Sequence, residues 1–209
     1  TIKDYYFATY RKKRYAILVT DYTKYGSLSN YITVFQHVSN ATRIARETIT
    51  LYERMCKNYI FCIDVKPGNM IITKDMKVRI IDFDTYFCAA KESKDNNMTS
   101  IFARLKEKDS SKTKNDVIRG FLTLNLLQVC GYLHHLEDKS TKTFITTYTK
   151  YIADYITIDD LKNAILCASI PIAGTKPIRN IHHYVLDGDK YDRYIARTNI
   201  TTDDETVVT

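Results

Sequence analysis

The sequence predicts an α+β fold, a mostly helical body carrying two small antiparallel hairpins. Three observations predict it. Residues 5–20 and 70–81 each read as two short apolar or aromatic runs around a charged turn. Residues 41–57 carry apolar side chains leaning to one face of a helix. Residues 116–133 are apolar nearly all round, as a helix buried in a core is.

The elements follow in chain order. Tyr5-Tyr6-Phe7-Ala8-Thr9-Tyr10 is aromatic and strand-prone, Arg11 to Arg14 is a charged turn, and Tyr15 to Thr20 is an apolar strand. Ser27 is placed to cap a short helix reaching about His37, and Asn40 to cap the next. In that second helix Ile44, Ala45, Ile49, Leu51, Tyr52 and Met55 form the apolar side. Tyr59 to Ile63 then leads into Asp64-Val65-Lys66-Pro67-Gly68-Asn69. Met70-Ile71-Ile72-Thr73, the polar turn Lys74 to Lys77, and Val78-Arg79-Ile80-Ile81 read as a tight β-hairpin. Residues 85–114 are polar, with one apolar patch from Met98 to Leu105. Phe144 to Ile156 and Ile158 to Ser169 read as helices, with Asp159 and Asp160 favourable at a helix N-terminus. Pro171, Gly174 and Pro177 mark a loop, Tyr191 to Arg197 a last helix, and Thr201 to Thr209 a polar tail.

Bulk properties narrow the class. A chain of 209 residues, 44% hydrophobic and 26% charged, is one ordinary domain or most of one. It has no apolar run of the length, about 18 residues, that a membrane span needs. Lys3, Asp4 and Arg11 to Arg14 break any signal-peptide core, and the chain opens at Thr1, as a fragment or processed product does. The five cysteines are scattered among apolar neighbours with no C-x-x-C pair, so reduced thiols in a cytoplasmic compartment are expected, without zinc or disulfides. The net charge of +7 fits either an acidic partner or a plain solvated surface. Basic residues do not alternate with aromatics in a stacking pattern, so no nucleic-acid partner is expected. Tyr 17 with Trp 0, beside many Ile, Lys, Asn and Thr, reads as an A+T-rich coding sequence, of the kind large DNA viruses have.

The chemistry concentrates between Asp64 and Asp82. A hairpin folds its two ends together, so Asn69 and Asp82, thirteen residues apart, are expected side by side. Two oxygen ligands there suit Mg²⁺, which takes few protein ligands and completes its shell with water and phosphate. The pair of motifs resembles the H-R-D-x-K-x-x-N catalytic loop and D-F-G motif of eukaryotic-type Ser/Thr protein kinases.

The resemblance implies a kinase-like layout. Residues 1–20 would end the small lobe, 21–26 form the hinge, 27–200 the large lobe and 201–209 a tail. Asp64 would orient the acceptor hydroxyl and accept its proton, and Lys66 would stabilise the transferred phosphate. A Lys at that position favours Ser/Thr acceptors over Tyr. Asn69 and Asp82 would hold Mg²⁺ bridging the ATP phosphates. Thr20 takes the gatekeeper position, with Asp21 and Thr23 at the adenine edge. Residues 85–114 match an activation segment. Asp116 would open the central helix and brace the catalytic loop through the backbone around Cys62 to Asp64. Asp84 stands where the family has Gly, as a further metal carboxylate or a surface residue.

Departures accompany the match. Cys62 and Ile63 replace the family's His and Arg, and there is no A-P-E motif before Asp116. No Gly-rich loop, strand Lys or partner Glu is in the chain, so an upstream segment or a second chain is expected to supply the small lobe. Two readings therefore stay open: a Ser/Thr kinase lobe acting on a protein substrate, and a pseudokinase or assembly module without catalysis. A small-molecule kinase of the aminoglycoside or choline type is disfavoured, because that group usually lacks a residue like Lys66. The pairs His134-His135 and His182-His183 are poor metal candidates, since adjacent side chains point to different sides of an element.

Overall fold

Aromatic and β-branched residues on both sides of a two-residue turn make the first element pair. In the computed structural model, which describes residues 2–20, 22–83 and 85–172, strand β1 (Ile2–Tyr10) pairs antiparallel with β2 (Lys13–Thr20). The turn is shorter than the four residues expected. Arg11 and Lys12 both take positive φ, 48° and 63°, the left-handed pair that a two-residue hairpin turn demands. No residue of this hairpin whose side chain is described is buried, and Tyr5, Phe7 and Tyr10 stand on its surface.

The helical body starts at Ser27, which accepts from the Asn30 amide as expected of an N-cap. The expected helix to His37 is instead a single α-turn, α1 (Leu28–Asn30), widened into a π-turn over Tyr31–Phe35. Gln36, left-handed at φ 50°, stops it. Asn40 does not cap α2 (Ala41–Lys57); its amide donates to the Tyr31 hydroxyl instead. Helix α2 buries Ala41, Ile44, Ala45, Thr48, Ile49, Tyr52 and Cys56, the one-sided spacing read in the sequence.

Two further hairpin-like pairs follow. Strand β3 (Ile60–Cys62) pairs with β6 (Tyr86–Cys88), and β4 (Met70–Ile72) pairs with β5 (Val78–Ile80), Met70 opposite Ile80. The segment 85–114 is more regular than a polar composition suggests. It contributes β6 and an eleven-residue helix, α3 (Met98–Lys108). Asn97 caps α3 by accepting from the Ser100 amide at 2.8 Å, and Met98, Ile101 and Leu105 seat it on the core.

Helix α4 (Lys114–His134) is the centre of the molecule. It packs on α2, α3, α5 (Lys142–Tyr155), α6 (Ile158–Ala168) and β3. Apolar residues on every side leave it only buried surroundings, as its sequence implies. Phe121 stacks on Phe61 at 4.3 Å between ring centroids, and Phe87 meets both edge-on, so α4, β3 and β6 share one aromatic joint.

At Gly120, helix α4 lies close against α6. A Cβ there would stand 2.5 Å from the Cys167 sulfur and 2.6 Å from the Asn163 carbonyl oxygen. The second obstacle is backbone and cannot rotate away. Gly120→Ala is therefore expected to lower stability by about 2 kcal/mol, the usual scale of overpacking, despite alanine's better helix propensity. Urea unfolding checks it: the midpoint should fall with no change in slope. The last helix and tail expected from the sequence lie outside the described residues, as do His182 and His183.

Candidate active site

The loop from Asp64 to Asn69 is held from two sides. On one side the chain enters through β3, whose ladder with β6 sets the position of Cys62. On the other it leaves through a 3₁₀ turn at Pro67–Asn69 directly into β4. Pro67 suits that first turn because its φ is already near the helical value and its missing N–H is not needed there.

Within the loop the Lys66 ammonium sits 2.7 Å from Asp64 Oδ2. The other carboxylate oxygen accepts from the Tyr132 hydroxyl at 3.0 Å. Asp64 and Lys66 are both open to solvent on one side. Asp64, by hydrogen bond and charge, raises the Lys66 amine above its ordinary value, and Asp82 adds weakly in the same direction. Lys66 therefore stays cationic.

The β4–β5 register continues past its last pair: the Ile81 amide donates to the Asn69 carbonyl at 2.8 Å. That brings the Asn69 amide to 3.4 Å from Asp82 Oδ2, side by side at the mouth of the hairpin. Asp82 takes φ 62°, a left-handed conformation that Asp tolerates better than most side chains. The turn ends the β5 path and frees the carboxylate from the strand. Phe83 lies exposed and touches Tyr86 edge-on at 5.5 Å.

One carboxylate and one carboxamide, both exposed or half-buried, form a hard-oxygen donor pair of the kind Mg²⁺ accepts, once the Asn69 amide turns its oxygen toward the mouth. Among the described residues no cluster of three or more His, Cys, Asp or Glu stands ready for a metal. Two protein donors would leave the remaining positions of such an ion to phosphate and water. At the end of α4, His134 pairs with Glu137 at 3.1 Å.

Asp116 does not brace this loop. Its carboxylate accepts from the Thr113 backbone N–H and hydroxyl and from the Asn163 amide, closing a capping box at the start of α4. The reason is distance along the helix: nine residues at 1.5 Å of rise separate Asp116 from Asn125 by about 14 Å. The bracing is done by Asn125 and Gln128. The Asn125 amide donates to the Cys62 carbonyl at 2.5 Å; the Gln128 amide donates to the Ile63 carbonyl and accepts from the Val65 N–H. Thr85 adds a hydroxyl donated to the Asp64 carbonyl at 3.3 Å. The sequence did carry a signal for the α4 residues, because Asn125, Gln128 and Tyr132 are polar or part-polar at helical spacing in the mostly apolar stretch from Phe121 to Leu133.

The expected adenine edge is described only in part. Thr20 ends β2, Asp21 lies outside the described residues, and Thr23 is half-buried, its carbonyl accepting from the Gly26 amide. Gly26 has φ 64° and its carbonyl accepts from Ile72, so the segment after β2 is tied to β4. Asp84 also lies outside the described residues.

A small hairpin, a tie to the β4–β5 hairpin and a helical body that carries an Asp–Lys loop and an Asn–Asp pair fit a protein-kinase-like domain. The chain belongs to the ABC1 atypical kinase-like domain family, which matches residues 9–117. A comparison with curated proteins found no match. The family span runs from β1 to the first turn of α4 and takes in Asp64, Lys66, Asn69 and Asp82, while Asn125, Gln128 and Tyr132 lie beyond it. Among the described residues no helix is long and apolar enough to cross a membrane.

Proposed function

We propose that this domain is the catalytic lobe of a Ser/Thr protein kinase that uses Mg-ATP, with the phosphate-covering loop and its Lys supplied by an upstream segment or a second chain. The observation that carries the reading is two side-chain pairs at the two ends of one short stretch of chain, Lys66 at 2.7 Å from Asp64 and Asn69 at 3.4 Å from Asp82. Phosphoryl transfer needs positioning and charge neutralisation more than covalent chemistry by the protein. Asp64 presents a carboxylate to the acceptor hydroxyl. Lys66 presents a permanent positive charge to the transferred phosphate. Asn69 and Asp82 would hold Mg²⁺, which supplies charge neutralisation of the phosphates when bound. The Ser/Thr preference rests on Lys66 and on the likeness to protein kinases. Buried unpaired thiols at Cys56, Cys62, Cys130 and Cys167 accord with a reducing compartment.

The test is transfer of radiolabelled phosphate from Mg-ATP to a protein mixture by the full-length protein, with phosphoamino-acid analysis of the product. Phosphoserine and phosphothreonine support the reading, phosphotyrosine or small-molecule phosphates replace it, and absence of transfer together with absence of a Mg-ATP-induced rise in Tm ends it.

A second reading, a kinase-fold binding module without catalysis, is favoured by the β1–β2 hairpin. It exposes Tyr5, Tyr6, Phe7, Tyr10 and Tyr15, and a two-stranded ribbon is marginal without something packed on it. The same assay separates the two.

A further inference from the structure

Helix α4 presents one row of polar groups to the loop. Asn125, Gln128 and Tyr132 stand at i, i+3 and i+7, one above another on the same face. The first two hold backbone groups of Cys62, Ile63 and Val65. The third reaches past the backbone to the Asp64 side chain itself, at 3.0 Å. Asp64's carboxylate is therefore pinned at both oxygens, by Lys66 on Oδ2 and by Tyr132 on Oδ1. The two pins differ in rigidity. Lys66 is an exposed ammonium on a flexible stem, free to turn toward a phosphate, whereas Tyr132 is half-buried on the central helix.

We infer that Tyr132 is a positioning residue, which fixes the orientation of the Asp64 carboxylate while Lys66 engages the phosphate. The inference rests on the kinase reading above. A hydrogen bond to a charged group is strong enough for this role, since losing it costs about tenfold or more in rate if the carboxylate must be oriented in the transition state.

The experiment uses Tyr132→Phe in the full-length protein, alone and combined with Asp64→Asn. The expected result is a fall in kcat of about tenfold or more, with KM for ATP and the Mg-ATP-induced Tm shift unchanged. In the Asp64→Asn background the same change should cost nothing further, a non-additivity that a purely structural role does not give. An unchanged kcat, or equal losses in the two backgrounds, overturns the inference. If the wild-type protein transfers no phosphate, the kinase reading fails, and the positioning claim is decided by the crystal structure of Tyr132→Phe. A displaced Asp64 carboxylate supports it there, and an unmoved one overturns it.

Discussion

Asp64→Asn should reduce phosphoryl transfer by roughly 10²- to 10⁴-fold, the range a positioned acid–base group contributes. The substitution keeps the side chain's shape, so the contacts to Lys66 and Tyr132 at 2.7 and 3.0 Å can be replaced by amide ones. Nucleotide binding should survive, because Asn69 and Asp82 are untouched. Asp82→Asn should behave differently. It removes the carboxylate that faces Asn69, so the Mg-ATP-induced rise in Tm should shrink along with the rate. Radiolabel transfer and thermal shift, measured on both variants, separate the two effects. Equal loss of the thermal shift in both would mean that Asp64 and Asp82 serve one nucleotide site, against the division of roles proposed.

The largest expected effect on stability is at Asp160. This carboxylate, with a side-chain exposure of 8%, forms a two-pronged pair with Arg119, Oδ1 receiving Nε at 2.8 Å. It also closes the cap of α6 by accepting from the Thr157 amide at 3.0 Å. Arg119 in turn donates to the Tyr155 hydroxyl, which donates to Glu53, so the pair ties α4, α6, α5 and α2 together. Asp160→Ala would leave a partly buried guanidinium without its counter-charge and α6 without half its cap. A loss of about 3 kcal/mol is expected, at the low end for a broken buried pair because Arg119 retains some solvent. Equilibrium urea unfolding measures it; a loss below about 1 kcal/mol would mean that solvent already screens the pair.

The same carboxylate sets an acid limit. Burial pushes the Asp160 carboxyl up, but the Arg119 and Thr157 hydrogen bonds outweigh it and hold it below the ordinary value. At Asp116 burial likewise raises and the Thr113 and Asn163 bonds prevail. Asp138, bonded by Ser140 and Thr141, is lowered to about 2. A depressed folded-state pKa gives stability that is complete above the unfolded value, about 3.9, and lost as pH falls through the folded value. Stability should therefore be flat near neutrality and fall from about pH 4 towards pH 2. The fall should be shallower in Asp160→Ala.

Local pattern carried much of the architecture. The β4–β5 hairpin was legible because two apolar runs around Lys74 to Lys77 have few other ways to pair, and its closure put Asn69 beside Asp82. Helix α4 was legible because apolar residues on all sides permit only burial. These are properties of neighbours in the chain, and spacing reports them directly. The α3 helix within 85–114 was missed because its polar flanks outweighed a three-residue apolar stripe and the Asn97 cap.

What the sequence by itself determined is therefore a candidate inventory, Asp64, Lys66, Asn69 and Asp82, and the hairpin that joins two of them. Only the tertiary structure decided what holds that inventory in place. Asp116 matched a bracing role by type and order, yet its carboxylate is consumed by Thr113 and Asn163 at the start of its own helix. Asn125, Gln128 and Tyr132 took the role because the crossing of α4 beneath β3 brings their face to the loop, more than sixty residues away in the chain. A side chain's partner at that separation is set by how helices pack, and packing geometry is a property of the assembled core rather than of local spacing.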